Sequence, residues 1–116
     1  MDEEEILKVQ QSFCGERGYD CFPTDLDTKA GVAIETLDRL PINGLRHPPH
    51  GDTNGWYIWG GEELSSDPNF FSPLHTSHLL NRSPEIVKLL GLPPGFRFLV
   101  AGDFLDIWYD PSLLDV

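Results

Sequence analysis

The chain has 116 residues, 40% hydrophobic and 11% aromatic, which suits one folded domain over residues 1–116 and excludes wholesale disorder. Its net charge is −11, from 8 lysines and arginines against 19 aspartates and glutamates. A field of that sign repels phosphate backbones and anionic lipid, so nucleic-acid or membrane binding is disfavoured and a basic partner is attracted.

The opening "MDEEEILKVQ" is acidic where a secretory signal is basic and then apolar, and no apolar run reaches the roughly 18 residues of a membrane span. A cytoplasmic location is expected. From Asp2 to about Phe13 the pattern is helical: Ile6, Val9 and Phe13 share a face, and acids crowd the end where the helix dipole favours them. Cys14 and Cys21 are the only cysteines. Their spacing fits no zinc pattern and no disulfide framework, so free thiols are expected. Residues from Tyr19 to Lys29 read as irregular.

"GVAIETL", Gly31 to Leu37, predicts a strand, and Pro41, Asn43 and Gly44 a turn after it. Asn54-Gly55 reads as a tight turn feeding "GWYIWG", a strand apolar on both faces, which sets it centrally in a sheet or leaves one face to be covered by a partner. After the polar "SSDPNF", Ser72-Pro73 predicts a helix start running to about Asn81. Ser83-Pro84 starts a second short helix with Ile86, Val87, Leu89 and Leu90 inward, stopped by Gly91. "FRFLVAGD" and "DIWYD" then predict two strands joined by a short connection. The fold class is α+β, a small antiparallel sheet with helices packed on it.

The histidines form two H-x-x-H pairs, His47/His50 and His75/His78. The second pair shares a helix face, but neither has the spacing and glutamate of the zinc hydrolases, so no metal or other cofactor is expected. A small metal-dependent hydrolase using these histidines is the alternative reading. No glycine-flanked elbow marks either cysteine as a nucleophile, and no phosphate-cradling glycine loop is present. With 19 acids, paired carboxylates alone indicate no catalytic dyad. No catalytic residue is assigned.

The aromatic residues remain. Core packing is the common fate of such rings, yet Trp56 and Trp59 have opposite strand parity and point to opposite faces. A sheet covered on one face only leaves one ring outside. Trp56 and Trp59, ringed by Glu62, Glu63, Asp103 and Asp106, are accordingly the expected partner-binding residues, with Trp59 as a surface anchor.

The order of these segments resembles a bacterial immunity-protein domain, the thirty-third of the immunity series, formerly a domain of unknown function. Arg46, Pro48, Gly55, Trp56, Gly60 and Glu62 carry the likeness, which extends over about residues 31–98. The acidic first helix and the "AGDFLDIWYDPSLLDV" hairpin lie outside it, and the histidine pairs are foreign to it. The resemblance implies a protein without catalysis that neutralises a cognate toxin encoded nearby. An interaction module with no toxin partner is a third reading.

Overall fold

Residues 2–116 are described by the computed structural model. Helix α1, Glu3–Glu16, begins at Asp2, whose carboxylate accepts from the Glu5 amide at 2.9 Å. Three glutamates fill its first turn, where the dipole favours them. It ends where Gly18 takes a φ of +74° and the Tyr19 amide reaches back to the Cys14 carbonyl at 2.9 Å. Ile6, Gln10, Phe13 and Cys14 form its buried face.

Six strands form one sheet: β1 (Lys29–Val32), β2 (Ile42–Arg46), β3 (Thr53–Gly60), β4 (Ser72–His75), β5 (Phe96–Ala101) and β6 (Phe104–Tyr109). Their order is β4-β1-β3-β2-β5-β6. Every pairing is antiparallel except β1 with β3. Helix α2, Thr76–Arg82, and a 3-10 segment at Pro84–Gly91 follow β4. The α+β expectation holds, as does the central place of the Gly-Trp strand.

Several predicted elements differ. The strand expected over Gly31–Leu37 stops at Val32, and a 3-10 turn occupies Ile34–Thr36. The Thr36 hydroxyl donates to the Ala33 carbonyl at 2.7 Å and accepts from the Gly60 amide at 2.8 Å, local bonds that compete with an extended chain. The turn expected at Pro41, Asn43 and Gly44 is instead the start and middle of β2, held between β3 and β5. Gly44 is needed there because a Cβ would run into the Phe98 ring, and the Asn43 amide donates to the Gly61 carbonyl at 2.7 Å. The chain reverses later, at Gly51-Asp52, with Gly51 at φ +61°, so Asn54-Gly55 lies inside β3 and not in a turn. Finally, Ser72 to His75 extend as β4 against β1, and the helix starts only at Thr76. An edge strand accommodates Pro73, which has no amide hydrogen to offer the ladder.

The sheet is covered on both faces, not one. Against one face, α1, α2 and the Pro84–Gly91 segment bury Phe13, Cys14, Trp56, Ile58, Leu79, Ile86, Leu89, Leu90 and Phe98. Ile86, Val87, Leu89 and Leu90 point inward as expected. On the other face a smaller cluster gathers Ala33, Leu45, Trp59 and Leu113, with Tyr57, Phe70 and Phe71 packed against it. That cover comes from the segment after β3 and from a C-terminal 3-10 turn, Pro111–Leu114, held down by the His47 Nδ1 to Leu113 carbonyl contact of 2.8 Å.

Candidate interaction surface

The two expected aromatic anchors are both inside. Trp56 is 1% exposed on the helix-covered face, and its indole N–H donates to the Leu90 carbonyl at 3.1 Å and the Thr24 hydroxyl at 3.2 Å. Trp59 does point to the opposite face, as strand parity requires, but it is only 3% exposed. Phe71 stands edge-on to it at 6.0 Å, with Phe70 behind at 4.9 Å from Phe71. Trp59 is therefore no surface anchor. The adjacent phenylalanines within the polar break are what bury it.

An exposed aromatic surface lies three strands away, on β6. The hairpin β5–β6 is closed by Gly102-Asp103, with Gly102 at φ +57°, the glycine-first turn that matches strand twist. Strand β6 begins at Phe104, two residues before the expected start, so alternation sets Phe104, Asp106 and Trp108 side by side on the face that Trp59 shares. Phe104 is 60% and Trp108 37% exposed. Trp108 lies across Arg97 of β5, 5.4 Å from the guanidinium carbon to the ring centroid. Arg97 also meets Asp110, Nη1 to Oδ2 at 3.6 Å. The Asp110 carboxyl is held below the usual carboxylate range first by the Ser112 hydroxyl, and further by Arg97.

The four expected acids divide in two. Asp106 is exposed between the two exposed rings. Register carries a row across this face from Trp59 through Asn43 and Leu99 to Asp106. Glu62 and Glu63 are exposed just past β3, where the Gly61 amide donates to the Pro41 carbonyl at 2.9 Å. Pro41 precedes Ile42, which pairs with Val100 of β5, so Glu62, Glu63 and the Asp103 turn occupy the same end of the sheet. Residues 98–116 carry Asp103, Asp106, Asp110 and Asp115 and no lysine or arginine. The surface is thus an aromatic strand face inside a negative field. Phe104 was legible only once the alternation Phe104, Asp106, Trp108 is read as one strand.

The histidines do not converge as a metal centre would. His47 binds the Leu113 carbonyl and stands edge-on to Tyr57 at 5.3 Å, while His75 and His78 rings are 6.0 Å apart. Among the described residues no group of three or more histidine, cysteine, aspartate or glutamate side chains is placed to hold an ion. No helix among them is long and apolar enough to cross a membrane.

Of the residues that carried the family likeness, four serve the fold. Arg46 is 3% exposed and donates to the carbonyls of Phe22 (2.7 Å), Leu92 (2.8 Å) and Asn54 (3.0 Å). Burial lowers its pKa to about 10. Trp56 is the ring beside it. Gly55, at φ +89°, and Gly60 sit where a Cβ would strike the His47 and Thr36 carbonyls respectively. Glu62 is exposed.

The Imm33-like domain matches residues 9–110. That span exceeds the one read from the sequence and takes in both the second half of α1 and the β5–β6 hairpin. No curated protein and no solved structure matches the chain.

Proposed function

This chain belongs to the Imm33-like family, and on that footing we propose that it is an immunity-type protein which binds a cognate bacterial toxin in the cytoplasm and holds it inactive without catalysis of its own. The family match over residues 9–110 carries the reading. The net charge of −11 favours a basic toxin domain over nucleic acid or membrane, since the field would accelerate encounter with the first and oppose the others. Trp108 and Phe104 replace Trp56 and Trp59 as the aromatic anchors. Asp103 and Asp106 are the acids beside them, and Glu62 and Glu63 extend the negative surface at the end of the sheet. An exposed aromatic pair inside a rim of charge is the composition of an interface centre.

The test is co-expression in a bacterial host with the toxin domain encoded next to this gene. Growth should be restored by the intact protein, and the purified pair should associate faster at low than at high salt. Continued killing in the presence of abundant folded protein would end the proposal. A salt-independent association rate would remove its electrostatic part.

A further inference from the structure

The two edges of the sheet are unlike. Strand β4 is four residues long and contains Pro73, a short, interrupted edge of the kind that resists further pairing. Strand β6 is six residues long, has no proline, pairs with β5 in unbroken register from Phe104 to Tyr109, and among the described residues has no second neighbour in the sheet.

Backbone bonding along an antiparallel pair alternates between residues that exchange hydrogen bonds and residues that do not. The register continues beyond the strand ends, because the Asp110 amide donates to the Gly95 carbonyl at 2.7 Å. Counting back from Asp110 in twos, Trp108, Asp106 and Phe104 turn their backbone groups toward β5. Leu105, Ile107 and Tyr109 turn theirs away, to an edge that no other strand occupies. The side chains alternate as well: Leu105 and Ile107 pack on the main core, whereas Phe104, Asp106 and Trp108 stand on the partner-facing side.

We propose that β6 is a docking edge on which an extended, lysine- or arginine-bearing segment of the partner adds as a seventh strand. Charge selects this occupant. Asp106 stands between two exposed aromatic rings, each about 7 Å along the strand. A long cationic side chain on the incoming strand could place its charge on Asp106 and its aliphatic stem or charge on Trp108. Arg97, the cation of the hairpin, is already engaged by Asp110 and Trp108 and does not oppose such a partner. A second copy of this chain fits poorly. Antiparallel self-pairing must set outward residues opposite outward ones, so it centres on Asp106 or on Ile107. The first sets the two Asp106 carboxylates opposite each other, and like charges there weaken a ladder, while either brings together two chains of net charge −11. The inference rests on the immunity reading only for whose segment it is, a toxin's.

The probe is a short synthetic peptide alternating lysine with valine, titrated at low salt into the isotopically labelled protein. A second peptide has the same side chains with alternate backbone amides N-methylated. The amides of Leu105, Ile107 and Tyr109 should shift and exchange more slowly with the first peptide. N-methylation should weaken binding roughly tenfold, the worth of one or two hydrogen bonds. Ile107→Pro, which removes an outward N–H, should weaken the unmodified peptide similarly, while Ile107→Ala, which keeps that N–H, should bind it nearly as well as the parent. Equal binding of both peptides would mean attraction by charge alone and overturn the proposal. So would perturbations away from β6, no binding, or concentration-dependent self-association through β6. If Ile107→Pro does not fold, the two peptides on the parent protein still decide. Cell rescue needs no particular binding edge, so failure here and failure of the immunity reading are distinguishable.

Discussion

Arg46 lies over Trp56, its guanidinium carbon 5.4 Å from the ring centroid, and each is almost wholly buried. The guanidinium is satisfied by backbone carbonyls from three separate stretches, at Phe22, Asn54 and Leu90 to Leu92. It therefore ties the irregular segment after α1 to β3 and to the turn before β5. A planar fork with five donors can do this where a lysine cannot.

Arg46→Ala should destabilise the fold by about 3–5 kcal/mol, because it strands several buried carbonyls at once. Arg46→Lys should recover only part of the loss. Urea unfolding at neutral pH measures both. A loss under about 1 kcal/mol for Arg46→Ala would show that water replaces the guanidinium without penalty.

The tryptophans should sort by environment. Trp56→Phe removes two buried hydrogen bonds and should cost roughly 2–3 kcal/mol. The Trp59 indole nitrogen is buried with no partner, so Trp59→Phe gives up no hydrogen bond and should cost roughly 1 kcal/mol. Trp108→Ala, on the surface, should leave the melting temperature nearly unchanged while weakening toxin binding by roughly 2 kcal/mol, about thirtyfold. Unchanged binding by Trp108→Ala would remove the ring from the interface.

Gly44→Ala drives a methyl group into the Phe98 ring and should cost about 1–3 kcal/mol by overpacking. Adding Phe98→Leu should restore part of that loss, giving a coupling energy of roughly 1 kcal/mol in a double-mutant cycle. Additive losses would mean that the backbone of β2 moves aside instead.

These same residues decide how much of the fold is legible in the sequence. The strand Gly55 to Gly60 was legible because aromatic and β-branched residues fill it, and β5 because Phe96, Phe98 and Val100 alternate with Arg97, Leu99 and Ala101. Strand β2 was misread because Asn43 and Gly44 are turn residues by local preference. Here tertiary packing decides instead: Phe98 requires the glycine, and the Asn43 amide bonds to the Gly61 carbonyl just past the end of β3. The β4 segment was misread for a similar reason, since Ser72-Pro73 suits a helix start and an edge strand equally. At the candidate site the acids were legible, but the anchor was misplaced. Parity establishes which face Trp59 points to. It does not say that Phe70, Phe71 and Leu113 fold back over that face.

Acid should act through Asp110 and Asp52. Both are depressed below the usual carboxylate range, Asp110 first by the Ser112 hydroxyl and Asp52 first by a hydrogen bond from Lys29, whose ammonium is 3.1 Å away. A folded-state pKa below the unfolded one contributes stability that is complete above the unfolded value, about 3.9. It is lost as pH falls through the folded value. The stability curve should therefore drop below about pH 4, and Asp110→Asn should lower the plateau and lessen the drop by the same small amount. Carbon-detected titration of the two carboxyls checks the sign directly. Midpoints at or above the unfolded value would contradict it.

Neutralisation by binding is stoichiometric, and titrating the toxin's own activity measures that stoichiometry. Purified protein is added in increments to a constant amount of the toxin domain, and residual toxin activity is followed with time. Activity should fall linearly to zero at one equivalent, with the loss complete on mixing and recovered when the complex is dissociated. Silencing that progresses with time at a small fraction of an equivalent would reveal turnover and make this protein an enzyme. Full toxin activity at every ratio would contradict the immunity assignment itself.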